Sequence, residues 1–251
     1  DQMALIKPHV KSAVTVGKVR DIIPSLTNAL NVAVSGVPGP VFVELPIDLL
    51  YPEDSIREQH GNQIPSNGIL GKAMTWYVNR HLTNMFSDKK SSIKIRKKTR
   101  LLGRQKDIDN AALAIVAAKK PVILLGNQVT QNKEALPQFI KSLNKLSIPT
   151  YTSGMSRGCF GENDIFFMRH NRKHALKNAD IVVTVGVPLD FRLGYGFSIN
   201  AKAKIIAINK SKIDMKKNRK PFIGIQGDPT RAICEIAKVV NPPKCQEWTK
   251  E

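Results

Sequence analysis

The run Ile181–Val185 constrains the fold most strongly, because it is a near-continuous apolar series rich in β-branched residues. Such a run is typical of a strand that is covered on both faces of a sheet. Gly186 ends the run, and Pro188 prevents its continuation. A loop with Asp190 and Arg192 follows. Because ligands of open α/β sheets sit beyond the carboxyl ends of the strands, this loop is predicted to face a ligand.

The surrounding segment alternates strand and helix patterns in the same way. Strands are predicted over 121–125, 148–152, 181–185, 204–208 and 223–225, and helices over 107–118, 133–146, 169–178 and 228–240. Strands that are separated by helices imply right-handed crossovers and therefore a parallel sheet. We predict an α/β fold with a doubly wound parallel sheet.

The N-terminal segment is predicted to be the last part of another domain. An edge strand is possible over 11–15, Asp21 is predicted to cap a helix that ends near Gly36, and 41–45 predicts a short strand that Pro46 stops. These elements cannot enclose a core, so we expect them to pack against a part of the protein that lies elsewhere. The chain begins at Asp1 rather than Met, and we expect further sequence upstream.

A linker region is predicted between these two parts. Residues 59–63 are polar and turn-prone, and 68–86 has the apolar spacing of an amphipathic helix. That helix could lie on a domain face or on a membrane surface, and the domain face is favoured because basic residues do not dominate its polar side. The predicted segments are 1–55, the linker 56–106, the sheet domain 107–243 and a tail 244–251.

The strongly positive net charge of the chain does not by itself indicate nucleic-acid binding. The net charge is +19, but it is concentrated in the runs 89–106, 169–177 and 202–220. The first run has no interleaved aromatic residues, so a solvated linker and basic helix faces are favoured over nucleic-acid binding. Three unevenly spaced cysteines give neither a disulfide framework nor a zinc site.

The residues that follow the predicted strands are the candidate ligand-binding residues. They are Gly126, Asn127, Ser153, Gly154, Met155, Asp190, Arg192, Asn209 and Asp228. Glycines let a backbone approach a phosphate, an arginine can grip one, and an asparagine can bond a ribose hydroxyl. Four of them have a structural alternative, in which Gly126 only forms a turn, Asp190 and Arg192 pair with each other, and Asp228 only caps the last helix.

Catalytic apparatus is not evident in the sequence. His170 and His174 share a helical face, but no third ligand accompanies them, so a basic solvated helix is favoured over a metal site. Cys159 has no evident His partner, and neither paired carboxylates nor a Ser-His-Asp arrangement can be identified. The pattern alone therefore predicts a nucleotide-binding sheet with no catalytic residue and no metal ligand.

Specific stretches resemble a known family. Residues 39–49, GPVFVELPIDL, resemble the end of the pyrimidine-binding domain of thiamine-diphosphate enzymes related to acetolactate synthase. Residues 121–126, 152–158, 179–192 and 205–209 resemble that family's central domain in order, and 41–52 and 169–196 are similar to its animal members. The resemblance implies a Rossmann-like central domain of the DHS type, preceded by the last helix and strand of the pyrimidine-binding domain.

The resemblance also implies cofactors. The intact protein is expected to bind thiamine diphosphate and Mg2+ between subunits of a homo-oligomer, with the activating glutamate upstream of Asp1 and the metal motif beyond Glu251. This chain alone is therefore expected to be inactive. The central domain of relatives binds FAD or ADP, and the matching loops here are at Gly126, Gly154, Arg192 and Asp228. Asn209 replaces the family's usual acid, which argues against strong FAD binding.

The implied reaction is carbon–carbon bond cleavage or formation. The substrate is expected to be a 2-hydroxyacyl-CoA for a lyase or a 2-oxo acid for a synthase, and the animal-type match favours the lyase. Animal members reside in the endoplasmic reticulum membrane through an upstream anchor, and the same is expected of the intact protein. The alternative is a non-catalytic module that binds FAD, ADP or CoA. A sirtuin-like deacetylase is disfavoured because the expected zinc cysteines are missing.

Overall fold

The protein has two compact units, residues 1–99 and 100–251. The structure, a computed structural model, describes residues 1–61, 68–86, 101–161, 164–240 and 248. The basic run 89–106 and the tail 244–251 therefore lie largely outside the described residues. The segment boundaries predicted at residues 55, 106 and 243 remain predictions.

The first unit is built around a pair of parallel strands. Its elements are α1 (Gln2–Ile6), β1 (Ser12–Thr15), α2 (Ile22–Val34), β2 (Val41–Glu44), α3 (Glu53–Gly61) and α4 (Gly68–Phe86). β1 and β2 pair in parallel, with Ser12 opposite Val41, and α2 connects them. The apolar side chains that this unit buries among the described residues are Val16, Ala29 and Leu82. The expectation that this segment cannot enclose a core of its own agrees with that short list.

Two details of the first unit differ from the sequence-based predictions. Asp21 occupies the N-cap position of α2, but its side chain makes no capping hydrogen bond. Residues 59–61 belong to α3 rather than to a turn, whereas Asn62 and Gln63 lie outside the described residues. The helix predicted over 68–86 is confirmed as α4. Within the described ranges, no helix combines the length and apolar character needed to cross a bilayer.

The second unit contains the predicted sheet. Its elements are α5 (Gln105–Ala117), β3 (Pro121–Leu125), α6 (Leu136–Leu146), β4 (Thr150–Thr152), α7 (Arg172–Asn178), β5 (Ile181–Val185), β6 (Lys204–Asn209), α8 (Lys212–Met215), β7 (Ile223–Gln226) and α9 (Pro229–Val239). The five strands are parallel and lie in the order β4-β3-β5-β6-β7. The predicted α/β fold with a doubly wound parallel sheet is confirmed.

Both faces of the sheet are covered, which explains the continuous apolar runs in its strands. On one face, Ile123 and Leu125 of β3 join a core with α5, α6 and α9, in which Phe139 is fully buried. On the other face, Val122 and Leu124 pack with residues of α7, including Leu176. Successive strand residues point to opposite faces, so every residue of β3 and β5 is buried.

Several helix boundaries in the second unit were predicted wrongly. α5 begins at Gln105, two residues before the predicted start, and the Asp107 carboxylate accepts a hydrogen bond from the Arg104 side chain. The predicted helix 133–146 is a 3-10 turn over Lys133–Ala135 followed by α6. α7 begins only at Arg172, because Asn171 has a left-handed backbone conformation.

The strand order places a topological switch between β3 and β5. Counted from the start of this unit, the strands lie in the order 2-1-3-4-5, the flavodoxin-like arrangement. The connections after the first and third strands leave in opposite directions at such a point, and ligands of doubly wound sheets bind there. The loops after β3 and β5 begin with Gly126 and Gly186.

Candidate functional site

All nine predicted ligand-binding residues lie along one side of the sheet. Asn209 is the last residue of β6 and the others belong to the loops that follow the strands, so parallel pairing brings all of them to the same end of the sheet. We call this region the carboxyl edge, and it comprises residues 126–128, 153–156, 186–192, 209–211 and 227–230. Within it the chain's own side chains make many of the contacts that a ligand would make.

The loops after β3 and β5 cross at a pair of glycines. The Gly126 N–H donates to the Val185 carbonyl at 2.9 Å. A Cβ atom on Gly126 would lie 2.5 Å from the Gly186 carbonyl oxygen, and Gly186 itself has a φ of +69°. A Cβ on Gly186 would lie 2.7 Å from the Gln128 Cβ atom. Close packing of these two loops therefore accounts for both glycines without any ligand.

The loop after β4 is bound to the loop after β3 in the same internal way. The Asn127 Oδ1 atom accepts a hydrogen bond from the Met155 N–H at 2.8 Å. A Cβ on Gly154 would lie 2.2 Å from that same Oδ1 atom, and Gly154 has a φ of +62°. The buried Ser156 hydroxyl accepts from the Ser153 N–H at 3.0 Å. The structure therefore brings the predicted residues Asn127, Gly154 and Met155 into contact with one another, whereas the predicted Ser153 bonds to Ser156.

Asp190 and Arg192 form an ion pair inside the loop after β5. The Arg192 Nε atom donates to both Asp190 carboxylate oxygens at 3.1 Å, and its Nη2 atom contacts Oδ2 as well. The Arg192 N–H donates to Asp190 Oδ1 at 3.0 Å. The side-chain hydrogen bond to Arg192 holds the pKa of Asp190 below its ordinary value of 3.8, although partial burial opposes this. The alternative of an internal pair that pins the loop is the arrangement observed.

This pair predicts a small acid-sensitive contribution to stability. Because the folded-state pKa of Asp190 lies below 3.8, the contribution is present above pH 3.8 and is lost as the pH falls through the folded value. The Arg192 side chain is 38% exposed, so solvent screening limits the contribution, and we expect at most about 1 kcal/mol. Asp190→Asn should lower the free energy of unfolding at neutral pH and match the wild type in strong acid.

The measurement is denaturant unfolding at a series of pH values. The chain has two tryptophans, Trp76 in the first unit and Trp248 in the second, so a Trp76→Phe background reports the second unit alone. Asp109→Asn, at an exposed carboxylate on α5, is the matched control, and its free energy of unfolding should match that of the wild type at every pH. An Asp190→Asn curve parallel to the wild type at every pH would contradict the assignment.

Asn209, at the end of β6, has a buried donor without a partner. Asn209 is 1% exposed. Its Oδ1 atom accepts from the Gln128 Nε2 atom and from the Ser211 N–H, both at 2.8 Å. Its Nδ2 atom has no hydrogen-bond partner among the described residues. An unsatisfied buried donor costs about 1–3 kcal/mol, so a group that accepts from Nδ2 would be favoured here.

Asp228 caps the last helix within a buried polar cluster. Its Oδ1 atom accepts from the Thr230 N–H at 3.1 Å and from the Thr230 hydroxyl. The Asn132 Nδ2 atom donates to Oδ2 at 3.4 Å, and the Lys210 Nζ atom lies 3.9 Å from the same oxygen. The Asn132 Oδ1 atom has no partner among the described residues. The capping alternative for Asp228 is thus observed, and ligand binding by Asp228 stays a prediction.

Loss of this cap should destabilise the second unit. Asp228→Ala removes the acceptor for the first turn of α9 and is expected to lower the free energy of unfolding by about 1–2 kcal/mol. Asp109→Ala changes an exposed carboxylate near the start of α5 and should cost less than about 0.5 kcal/mol. Unfolding of both variants in the Trp76→Phe background tests this expectation. Equal stability of the two variants would contradict the capping role.

The sequence reasoning did not assign a basic cleft beside β7. This cleft of about 610 Å³ is lined by Arg104, Lys212, Lys216 and Lys220, together with residues of β7. Arg104 pairs with Asp107 at 2.8 Å, whereas no carboxylate of the described residues forms an ion pair with the three lysines. The basic run 202–220 was the signal in the sequence, but only the fold shows which of its lysines converge.

A metal centre or an activated nucleophile is not found in the described part of the chain. No group of three or more His, Cys, Asp or Glu residues there is placed to hold a metal ion. Burial raises the pKa of the Cys159 and Cys234 thiols, which disfavours the reactive thiolate forms. His170 and His174 line one cleft beside Tyr151. This cleft lies on the face of the sheet that α7 covers, away from the carboxyl edge.

Comparison with known proteins extends this description. Residues 108–236 match the family described as "Thiamine pyrophosphate enzyme, central domain". The 2-hydroxyacyl-CoA lyase 2 of Danio rerio is 38% identical over 255 residues, which cover 99% of this chain and 41% of that protein. The human 2-hydroxyacyl-CoA lyase 2 is 33% identical, over 100% of this chain and 40% of that protein. The chain thus spans about two fifths of the length of these relatives.

More distant relatives and solved structures agree on the fold. The oxalyl-CoA decarboxylase of Escherichia coli K12 is 27% identical over 91% of this chain and 36% of that protein. The 4-hydroxybenzoylformate decarboxylase of Rhodococcus jostii RHA1 superimposes with a TM-score of 0.67 at 17% identity, over 97% of this chain and 42% of that one. Benzoylformate decarboxylase from Polynucleobacter necessarius superimposes with a TM-score of 0.69 at 16% identity, over 98% of this chain and 41% of that one. The chain belongs to the thiamine pyrophosphate enzyme family, and residues 108–236 form the central domain of that family.

Proposed function

We propose that this chain provides the central domain, and the end of the preceding pyrimidine-binding domain, of a thiamine-diphosphate- and Mg2+-dependent lyase that cleaves 2-hydroxyacyl-CoA. The observation that carries the proposal is the similarity to 2-hydroxyacyl-CoA lyase 2 over essentially the whole chain, at 38% identity for the Danio rerio protein. The match extends through the first unit as well as the central domain. We further propose a homo-oligomer and an endoplasmic reticulum location for the intact protein, on the resemblance to the animal members.

The described residues do not fit the metal and the thiamine cofactor themselves. They contain no carboxylate cluster suited to Mg2+. We therefore assign neither group to residues of this chain and expect the catalytic residues in other parts of the intact protein and in its partner subunit. Thiamine diphosphate, when bound, supplies the electron sink that allows a carbon–carbon bond beside a carbonyl to break.

The carboxyl edge fits an adenine nucleotide of the ADP or FAD type. The Asn209 Nδ2 atom, which has no partner among the described residues, stands at the end of β6, where doubly wound sheets bind a ribose, and it can donate to a ribose hydroxyl. The unpaired Asn132 Oδ1 atom offers an acceptor near the start of α9. Arg192 is already paired with Asp190, and the Met155 N–H with Asn127. We therefore favour the smaller ADP over FAD, whose longer diphosphate-linked body would need more free donors.

The basic cleft beside β7 supports a phosphate-bearing ligand. Lys212, Lys216 and Lys220 create a positive field there that no carboxylate of the described residues pairs with. Lysines act as point charges for phosphate groups, and CoA and ADP both carry several. The cleft can therefore supply positive charge for the phosphate groups of such a ligand.

A chimeric enzyme tests the proposed reaction. The 251-residue chain replaces the matched 255 residues of the Danio rerio 2-hydroxyacyl-CoA lyase 2, and cleavage of a 2-hydroxyacyl-CoA is measured with thiamine diphosphate and Mg2+. We expect cleavage by the chimera and none by the isolated chain. Thermal unfolding and gel filtration establish that the chimera folds and assembles like the parent. A folded, assembled chimera without activity would contradict the lyase assignment.

The second candidate is a non-catalytic nucleotide-binding module. It is favoured because the described part of the chain has no group of His, Cys, Asp or Glu residues placed to hold a metal ion. Turnover by the isolated chain would exclude it. Binding of ADP together with a folded but inactive chimera would favour it over the lyase.

A further inference from the structure

A second cleft lies on the face of the sheet that α7 covers, away from the carboxyl edge. Its volume is about 400 Å³, within the usual range of small-molecule sites. Its aromatic lining comes from Tyr151 in the middle of β4, from Phe167 beside that strand, and from Trp248. Arg169, His170 and His174 line it as well and are exposed, so the cleft has an aromatic floor and a basic rim.

The fold holds the floor rigidly. Tyr151 and Trp248 are 6% and 7% exposed. The Trp248 Nε1 atom donates to the Pro121 carbonyl at 3.1 Å, and the Lys120 Nζ atom lies 4.7 Å from the centre of the Trp248 ring. Backbone hydrogen bonds of 2.8 and 2.9 Å join Thr150 to the segment 166–168, which places Phe167 beside the edge strand. The ring faces are therefore set in place before any ligand arrives.

The Tyr151 hydroxyl has no hydrogen-bond partner among the described residues. No described residue forms a hydrogen bond with this hydroxyl, although nine-tenths of the residue is buried and it lines the cleft. Burial raises the pKa of Tyr151, and the positive charge of Arg172 opposes that effect. The hydroxyl is therefore protonated at neutral pH and available as a donor to a ligand in the cleft.

Arg169 gives the rim a positive charge that no carboxylate in the described lining compensates. The Arg169 guanidinium lies 5.6 Å from the centre of the Phe167 ring, in a cation–π contact. This contact leaves its N–H donors available for hydrogen bonds. No carboxylate of the described residues forms an ion pair with Arg169, His170 or His174, and the cleft lining contains no acidic residue. Aromatic walls select a flat apolar body, and a basic rim selects a negative charge attached to it.

We propose that this cleft binds a small planar organic anion, with its ring against Tyr151, Phe167 and Trp248 and its carboxylate or phosphate between Arg169 and the Tyr151 hydroxyl. The site is separate from the carboxyl edge and does not depend on the lyase assignment. It gives the central domain a ligand site on its second face. A carboxylate and a phosphate share the required chemistry, and the experiment separates them.

Fluorescence of Trp248 provides a direct test. In the Trp76→Phe background of the 251-residue chain, all tryptophan emission comes from Trp248 in the floor of the cleft. The probes are benzoate and phenyl phosphate, with benzyl alcohol as the neutral match and cyclohexanecarboxylate as the non-planar match. We expect a saturable change with at least one planar anion, and affinities for both matched compounds that are lower by about tenfold. The tighter of the two anions identifies the preferred group.

Variants locate the binding. Arg169→Gln and Tyr151→Phe should each lower the affinity for the preferred anion by about tenfold, which is the loss expected for a charge-assisted hydrogen bond. Lys177→Gln removes a charge from α7 at a residue that does not line the cleft and should leave the affinity unchanged. Thermal unfolding without ligand confirms that each variant is folded. The proposal is overturned if neither anion gives saturable binding, if benzyl alcohol binds equally well, or if Lys177→Gln weakens binding as much as Arg169→Gln.

Discussion

Ile206→Ala should lower the free energy of unfolding of the second unit by about 2–5 kcal/mol. Ile206 is fully buried in β6, between two strands, and belongs to the core with α5, α6 and α9. Alanine removes three carbon atoms from a site that a sheet and three helices fix in place, so little collapse into the cavity is possible. The effect should be among the largest for any single substitution in this chain.

Ile213→Ala is the matched control, because it makes the same chemical change at a residue of α8 that is 82% exposed. Its cost should stay below about 0.5 kcal/mol. Denaturant unfolding of both variants, followed through Trp248 in the Trp76→Phe background, gives the comparison. Similar losses for the two isoleucines would mean that β6 is not the buried strand next to the centre of the sheet.

Gly126→Ala should destabilise the same unit by about 1–3 kcal/mol, although it adds a single methyl group. The added Cβ would lie 2.5 Å from the Gly186 carbonyl oxygen and from the Val187 Cβ atom, and 2.8 Å from the Val187 Cα atom. Because two of these three contacts involve backbone atoms, a rotamer change cannot relieve them. The loops after β3 and β5 must separate, and the hydrogen bond from the Gly126 N–H to Val185 should weaken with them.

Gly158→Ala serves as the control for this substitution. A Cβ there meets nothing within 4 Å, and the residue does not have a left-handed backbone. Its stability should match the wild type within about 0.5 kcal/mol. Amide hydrogen exchange measures the effect locally, because Gly126→Ala should speed exchange in the loops after β3 and β5 more than in α6. A neutral Gly126→Ala variant would show that the two loops do not pack as described.

The sheet was predictable from sequence because burial on both faces leaves a strong local signal. β3 and β5 lie at the predicted residues, since each is a short apolar run between turn residues. Helix starts were less predictable, because they depend on the backbone conformation of the residues that precede the helix. α7, for example, begins only at Arg172, after Asn171 in a left-handed conformation that the residue types alone do not indicate.

The location of the candidate site at the carboxyl edge could be predicted from the sheet topology. The pairing of its side chains with one another could not. Parallel strands bring residues 126, 154, 192 and 228 to one edge wherever their side chains point. Whether Arg192 faces a ligand or Asp190 depends on the conformation of a short loop, which residue types do not determine. Gln128 was not singled out, yet it links the loop after β3 to Asn209 and to the Lys210 N–H.

The account therefore depends on Asn209 as the group left for a nucleotide at the carboxyl edge. Its Oδ1 atom is held by Gln128 and Ser211, which fixes the amide orientation and leaves Nδ2 as the unpaired donor. An amide in place of a carboxylate can still bond a ribose hydroxyl, but it adds no charge. The other predicted residues would act mainly by holding the loops that surround this donor.

Isothermal titration of the 251-residue chain with ADP tests this claim most directly, with FAD and CoA as parallel ligands. We predict saturable ADP binding that Asn209→Ala weakens by about tenfold and that Asn178→Ala, at an exposed residue of α7, leaves unchanged. Absence of binding heat with all three ligands, or equal ADP affinity of wild type and a folded Asn209→Ala variant, would contradict the account.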